Sequence, residues 1–169
     1  MSARKASSQA AARLRTWLLR GPVQLAQGEH AGGIVGSFAS DGTPAYVYGE
    51  ITGYYLHWLA GSHLRDDPRR AANARAALVW CERHYGAGNP VPTRIALTPM
   101  PHDWRNETEF CFDLAMLVGG LSAAARAGLI EPPRGLLDTL LHRLLAFATE
   151  GRLLPVASGS AAGLPDRWS

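Results

Sequence analysis

"YGEITGYYLHWLA" (Tyr48–Ala60) sets a single carboxylate, Glu50, at the head of a run whose later residues are apolar, aromatic, small or histidine. Ile51, Tyr54, Tyr55, Trp58 and Leu59 recur at helical spacing on overlapping faces, so the stretch predicts a helix over about 50–64. It is apolar nearly all round, and such a helix has to be covered by neighbours on every side. The fold therefore depends on what lies beside it.

Downstream, "RDDP" (Arg65–Pro68) supplies a stop and a start, with Asp66 or Asp67 as N-cap and Pro68 at the first helical position. The next helix, Pro68 to about Tyr85, carries a stripe of Ala72, Ala76, Val79 and Trp80 edged by Arg75. So short a linker predicts an antiparallel helical hairpin. After a Pro-rich loop, 86–110, the pattern returns: "FDLAMLVGGLSAAARAGL" headed by Asp113, a break at "EPP" (Glu131–Pro133), and the amphipathic "RGLLDTLLHRLLAFATE" (Arg134–Glu150). Glu50 aligns with Asp113, Pro68 with Pro132 and Trp80 with Leu144, at offsets of 63 or 64 residues (113 − 50, 132 − 68, 144 − 80). A degenerate repeat follows: long loop, acid-headed apolar helix, tight turn, amphipathic helix.

Residues 1–8 read as a flexible polar terminus and 9–169 as one domain, with a first helix over Gln9–Arg20 stopped by Gly21-Pro22. Between them and Tyr48, "SDGT" (Ser40–Thr43) has the chemistry of a small β-hairpin, expected as an appendage in a loop. With the tight turns at one end, loops 21–49, 86–111 and 151–169 emerge together at the other. The acid-headed helices then form an inner layer and their one-sided partners an outer one. The expected fold class is all-α: antiparallel helical hairpins forming part of an α/α toroid, with the β-hairpin in a rim loop.

Composition narrows the partners. The net charge of +3 is spread as arginines along helices, Lys5 being the only lysine, so a nucleic-acid surface is not expected. No stretch approaches the apolar length of a membrane span, and Arg13 and Arg15 interrupt any signal-peptide core. Cys81 and Cys111 lie in no CxxC and read as thiols of a reduced, cytoplasmic compartment.

Two stretches resemble a known family. "GGIVGSFASDGTPAYVYGEITGYYLHWL" is similar to the first active-face segment of α/α-toroid proteins of bacterial polysaccharide clusters, described as six-hairpin glycosidase-like or prenyltransferase-like, in which a Tyr-Pro-Glu-(Val/Ile)-Thr-Gly-Tyr stretch heads a helix. "FCFDLAMLVGGLSAAARAG" resembles their next inner helix. The likeness covers about residues 28–128, with Gly49 standing where the family has proline. It implies a carbohydrate-processing or carbohydrate-binding protein of bacterial exopolysaccharide metabolism, with a saccharide or polysaccharide intermediate as ligand. "GLPDRWS" at the C-terminus resembles the start of a further rim loop, which implies a partial toroid needing a second copy or its missing half.

Glu50 and Asp113 are the candidate catalytic residues, a carboxylate pair able to serve hydrolysis, elimination or epimerisation at a sugar. The structural alternative is that each merely caps its helix, where the macrodipole lowers its pKa. His30, Tyr48, Tyr54, Asp103 and Trp104 are the candidate substrate-binding residues, since sugars offer C–H faces for rings and hydroxyl edges for polar groups. His57, His63 and His142 are isolated. With no HExxH, P-loop or GxSxG, no metal and no cofactor is expected. Two other classes stay open: a non-enzymatic helical scaffold or assembly protein, and a terpenoid cyclase, for which the lone Asp66-Asp67 pair is the acid motif.

Overall fold

The computed structural model describes residues 3–61, 64, 66–99, 106, 108–149, 152–153 and 157–158. Helix α1 (Ala3–Arg20) leads into a Gly-rich loop and then strands β1 (Val35–Phe38) and β2 (Pro44–Tyr48). Helices α2 (Gly49–Ala60) and α3 (Arg69–Tyr85), strands β3 (Arg94–Ala96) and β4 (Glu109–Phe110), and helices α4 (Cys111–Arg126) and α5 (Arg134–Ala146) follow. Short strands β5 (Ala148–Thr149), β6 (Arg152–Leu153) and β7 (Ala157–Ser158) pair as β5 with β6 and β4 with β7.

The sheet overturns the all-α expectation. β1, β2 and β3 form a three-stranded antiparallel sheet in that order, with Tyr48 opposite Arg94 and Tyr46 opposite Ala96. The chain is therefore mixed α/β, and the "SDGT" hairpin is no appendage, because its second strand is the middle of the sheet. The third strand hides in the Pro-rich loop: at three residues it is too short for a period-2 pattern to declare itself. With a sheet built into the body of the chain, the placement of these helices as a segment of an α/α toroid does not stand.

α2 and α4 lie against each other with their heads together. A Cβ at Gly53 would fall on the carbonyl of Met116, and one at Gly120 on the carbonyl of Gly53. The two backbones approach as closely as glycine alone permits. Gly49 faces Leu117, and the His57 ring lies beside Gly119, so the helices run in the same direction. α3 and α5 return alongside them. The Tyr85 hydroxyl at the end of α3 presses on Gly49 at the start of α2, which is why glycine and not proline stands there.

One core cluster unites these parts, drawing Leu19 from α1, Leu56 and Leu59 from α2, Trp80 from α3, Leu117 and Leu121 from α4, Leu140 from α5, and Ile34 and Val47 from the sheet side. α1 joins it only by its last turn, where Tyr55 donates to the Leu18 carbonyl and Asn73 to that of Leu19. The α2–α3 linker keeps its start signal in altered form: Pro68 occupies the N-cap, and Asp67 Oδ1 accepts from the Arg69 amide at 2.9 Å. No helix among the described residues is long and apolar enough to cross a membrane.

Candidate functional site

The heads of α2 and α4 bring Glu50 and Asp113 to one end of the molecule. Tyr48 closes β2 and Glu50 opens α2 two residues later, so a strand face and a helix head meet there. Across the ladder from Tyr48 stands Arg94, its guanidinium 5.8 Å from the Tyr48 ring centre and 5.0 Å from that of Tyr46. Arg94 also donates to Asn106 Oδ1 at 2.9 Å. Its buried Nε has no hydrogen-bond partner among the described residues. The cation is held by aromatic faces as much as by acceptors.

Asp113 is only 4% exposed and accepts a hydrogen bond from the Thr93 hydroxyl. Burial pushes its carboxyl up from 3.8 to about 6; Thr93 and Arg94 pull it down, and the charge of Glu50 adds to the rise. That reverses what the helix dipole alone predicts for an acid in the first turn, because desolvation outweighs a dipole contribution of about 1 kcal/mol or less. The Tyr48 phenol is held protonated, first by burial and next by its hydrogen bond to Glu50, and Thr93 also lies within its reach. Glu50, Tyr48, Thr93 and Asp113 thus form one connected polar chain running from half-exposed to buried.

A second buried layer supports the first. Glu109, just before α4, pairs with Arg143 of α5 and accepts from the Val91 amide at 3.1 Å. The Arg143 guanidinium lies 5.6 Å from the centre of the Tyr85 ring, whose hydroxyl meets Gly49. Desolvation lowers the Arg143 pKa, while Tyr85 opposes the shift. The two acid-headed helices are thereby locked to their return helices at the same end as the carboxylates.

Of the residues named from sequence, Glu50, Asp113 and Tyr48 come together. Tyr54 is 45% exposed on α2, one turn beyond Glu50 and on the same face. His30 pairs instead with His84, ring nitrogens 3.3 Å apart. Asp103 and Trp104 lie outside the described residues. Sequence reasoning missed Thr93, Arg94, Glu109 and Arg143. Thr93 to Leu97 alternate β-branched or apolar residues with Arg94 and Ala96, a faint strand signal inside a loop.

Comparison with known proteins found no matching family model, no matching curated protein and no matching solved structure.

Proposed function

We propose that the Glu50–Asp113 end of the molecule is a saccharide-binding site with acid–base capability. The observation that carries this reading is the connected pair of carboxylates in unlike surroundings: a half-exposed Glu50 and a buried Asp113 whose pKa lies near 6, joined through Tyr48 and Thr93. Glu50 is the acid a ligand can reach, and a carboxylate accepts readily from vicinal hydroxyls. Tyr54, a turn away and exposed, offers a ring to the C–H face of a sugar. Asp113 is a positioning residue: through Thr93 it fixes the Tyr48 side, and it can store a proton near neutral pH.

The segment that resembles proteins of bacterial polysaccharide clusters, 28–128, contains these residues, and it is the resemblance that directs the reading to exopolysaccharide intermediates. The unpaired thiols Cys81 and Cys111 support a cytoplasmic setting. If the site turns its ligand over, Glu50 is the acid or base, with hydrolysis, elimination or epimerisation as the reaction classes.

Calorimetric titration of the purified chain with acidic and neutral oligosaccharides of bacterial exopolysaccharides tests the site. Glu50→Gln and Tyr54→Ala are expected to lose binding while melting like wild type. Affinity unchanged in both variants would reduce Glu50 to a helix-capping acid.

One observation favours a second reading, a scaffold that docks another protein or a second copy. Phe112 and Leu145 are 55% and 66% exposed. Sedimentation across a wide concentration range separates the two, since docking of a second copy gives concentration-dependent association and the saccharide site does not.

A further inference from the structure

His30 sits in the Gly-rich loop and His84 in the last turn of α3, and their rings approach by His30 Nδ1 and His84 Nε2 at 3.3 Å, with ring centres 5.1 Å apart and planes inclined by 31°. For a nitrogen–nitrogen hydrogen bond this is long. It is, however, the spacing of two imidazoles that share one metal ion. Bonds of about 2.0–2.1 Å meeting at the tetrahedral angle put the donor nitrogens about 3.3–3.4 Å apart and the ring centres about 5.1–5.2 Å apart. Both observed distances fall there.

We propose that His30 and His84 form a two-imidazole site for a borderline divalent transition ion, zinc foremost, that clamps the Gly-rich loop onto α3. This does not rest on the saccharide reading, which uses neither residue.

The two ligands are held in place by contacts independent of each other. His84 is fixed by its helix and by Trp80, whose ring centre is 5.0 Å from its own. His30 is fixed because its loop is pinned on both sides. Before it, Gln24 Nε2 donates to the carbonyls of Gly32 and Asn73. After it, Gly32 adopts φ +93°, and a Cβ there would fall on the Ala76 carbonyl of α3. Arg83 donates to the Glu29 carbonyl, tying the residue next to His30 to the residue next to His84. A bite made of two separately anchored side chains costs little to organise when the ion arrives.

The charges around the pair also suit ligation. His84 is held below its ordinary pKa, first by burial and then by His30 and Arg83, with Glu29 opposing. Glu29 and Arg83 are the charged side chains facing the pair, one of each sign. Among the described residues no third histidine, cysteine or carboxylate completes the set, so water or an exogenous ligand fills the remaining positions. Two nitrogen ligands with open positions select Zn²⁺, Ni²⁺, Co²⁺ or Cu²⁺ over Mg²⁺ and Ca²⁺, which require oxygen donors.

The test uses tag-free, chelator-stripped full chain titrated with Zn²⁺ by calorimetry, together with thermal melts at each metal level. One equivalent is expected to bind with micromolar affinity and raise the melting temperature, and Mg²⁺ to do neither. His30→Asn and His84→Asn should each weaken binding by about ten-fold or more, as loss of one of two ligands requires, while His57→Asn and His142→Asn leave it unchanged. His84 packs on Trp80, so His84→Asn is checked for folding by circular dichroism. Should it not fold, His30→Asn, on an outer loop, decides together with the visible ligand-field bands of Co²⁺ bound to wild type. No saturable binding by wild type, or binding that survives His30→Asn, overturns the site.

Discussion

The head of α2 and the head of α4 are the same junction built twice. In each, a strand runs into a helix without a loop, an aromatic residue in extended conformation takes the N-cap (Tyr48, φ −139°; Phe110, φ −110°), no side chain caps the free amides, and an acid falls in the first turn. The outcomes differ. Glu50 remains half-exposed, while Asp113 is buried under Thr93 and carries a pKa near 6. Tyr48 has a hydroxyl to reach Glu50, and Phe110 has none to offer Asp113. Local grammar places the acids; what packs over each of them decides its chemistry.

The strongest way to break this pairing is to push the helices apart. At Gly53 and Gly120 any side chain meets the backbone of the opposite helix, which cannot move aside as a flexible side chain can. Gly53→Val and Gly120→Val are each expected to cost about 3 kcal/mol or more, a large share of the stability of an ordinary domain. Urea denaturation followed by circular dichroism reads this directly. A Gly53→Val protein that unfolds at the wild-type midpoint would mean that the heads are not held together by this crossing.

Next in size is the ion pair behind the α4 head. Glu109 is 3% exposed and Arg143 10%, so removing one partner strands a buried charge. Arg143→Met should destabilise by about 3–5 kcal/mol, and Glu109→Leu combined with Arg143→Met should recover most of that, because the apolar pair leaves no charge to desolvate. A double variant no more stable than Arg143→Met would show that Arg143 acts through its packing on Tyr85.

Asp113 gives the third and most diagnostic contrast. Its folded pKa of about 6 lies above its ordinary 3.8, so the folded state holds the extra proton. The stability this group contributes is complete below pH 3.8 and lost as pH rises through about 6. Asp113→Asn should therefore stabilise the protein at pH 7 by about 2–3 kcal/mol, at 1.36 kcal/mol per pKa unit, and the gain should fade toward pH 4. Paired with Glu50→Gln, it sharpens the comparison: a pH-dependent gain is expected from the buried acid. Denaturation midpoints at pH 4, 5, 6 and 7 measure it. A gain independent of pH would place its origin in the Thr93 hydrogen bond and not in titration.

How much of this was legible in advance follows from where each determinant lies. The pairing of Glu50 with Asp113 could be read from a 63-residue offset, because each acid heads a run whose helical pattern is long and local. Helices over 49–60, 69–85, 111–126 and 134–146 fall on those runs. The sheet could not be read so, since β3 is three residues long and becomes a strand only by pairing with β2. Arg143 sits on an amphipathic helix where arginine usually faces water, and its burial is decided by Glu109, far away in sequence. For Asp113 the local argument pointed the wrong way: a helix N-terminus lowers the pKa of an acid, and only tertiary burial, against the opposing pull of Thr93 and Arg94, raises it. Burial is the quantity that a linear pattern reports least well.

The smallest expected effect lies at the opposite end of the same helices and serves as their control. Asp67 Oδ1 accepts from the Arg69 amide at 2.9 Å, satisfying one of the free donors at the start of α3, while Pro68 brings no donor of its own. Asp67→Ala removes that acceptor and should cost about 1 kcal/mol, with Asp67→Asn recovering much of the loss because asparagine caps nearly as well. The turn between α2 and α3 lies at the foot of the helices and the carboxylates at their heads, so neither variant should alter oligosaccharide affinity or the pH dependence assigned to Asp113. Chemical denaturation and calorimetric titration on the same samples keep the two properties apart. A loss of ligand affinity in Asp67→Ala without loss of stability would place the binding surface at the α2–α3 turn, and the contrast drawn between the two helix heads would then have no bearing on function.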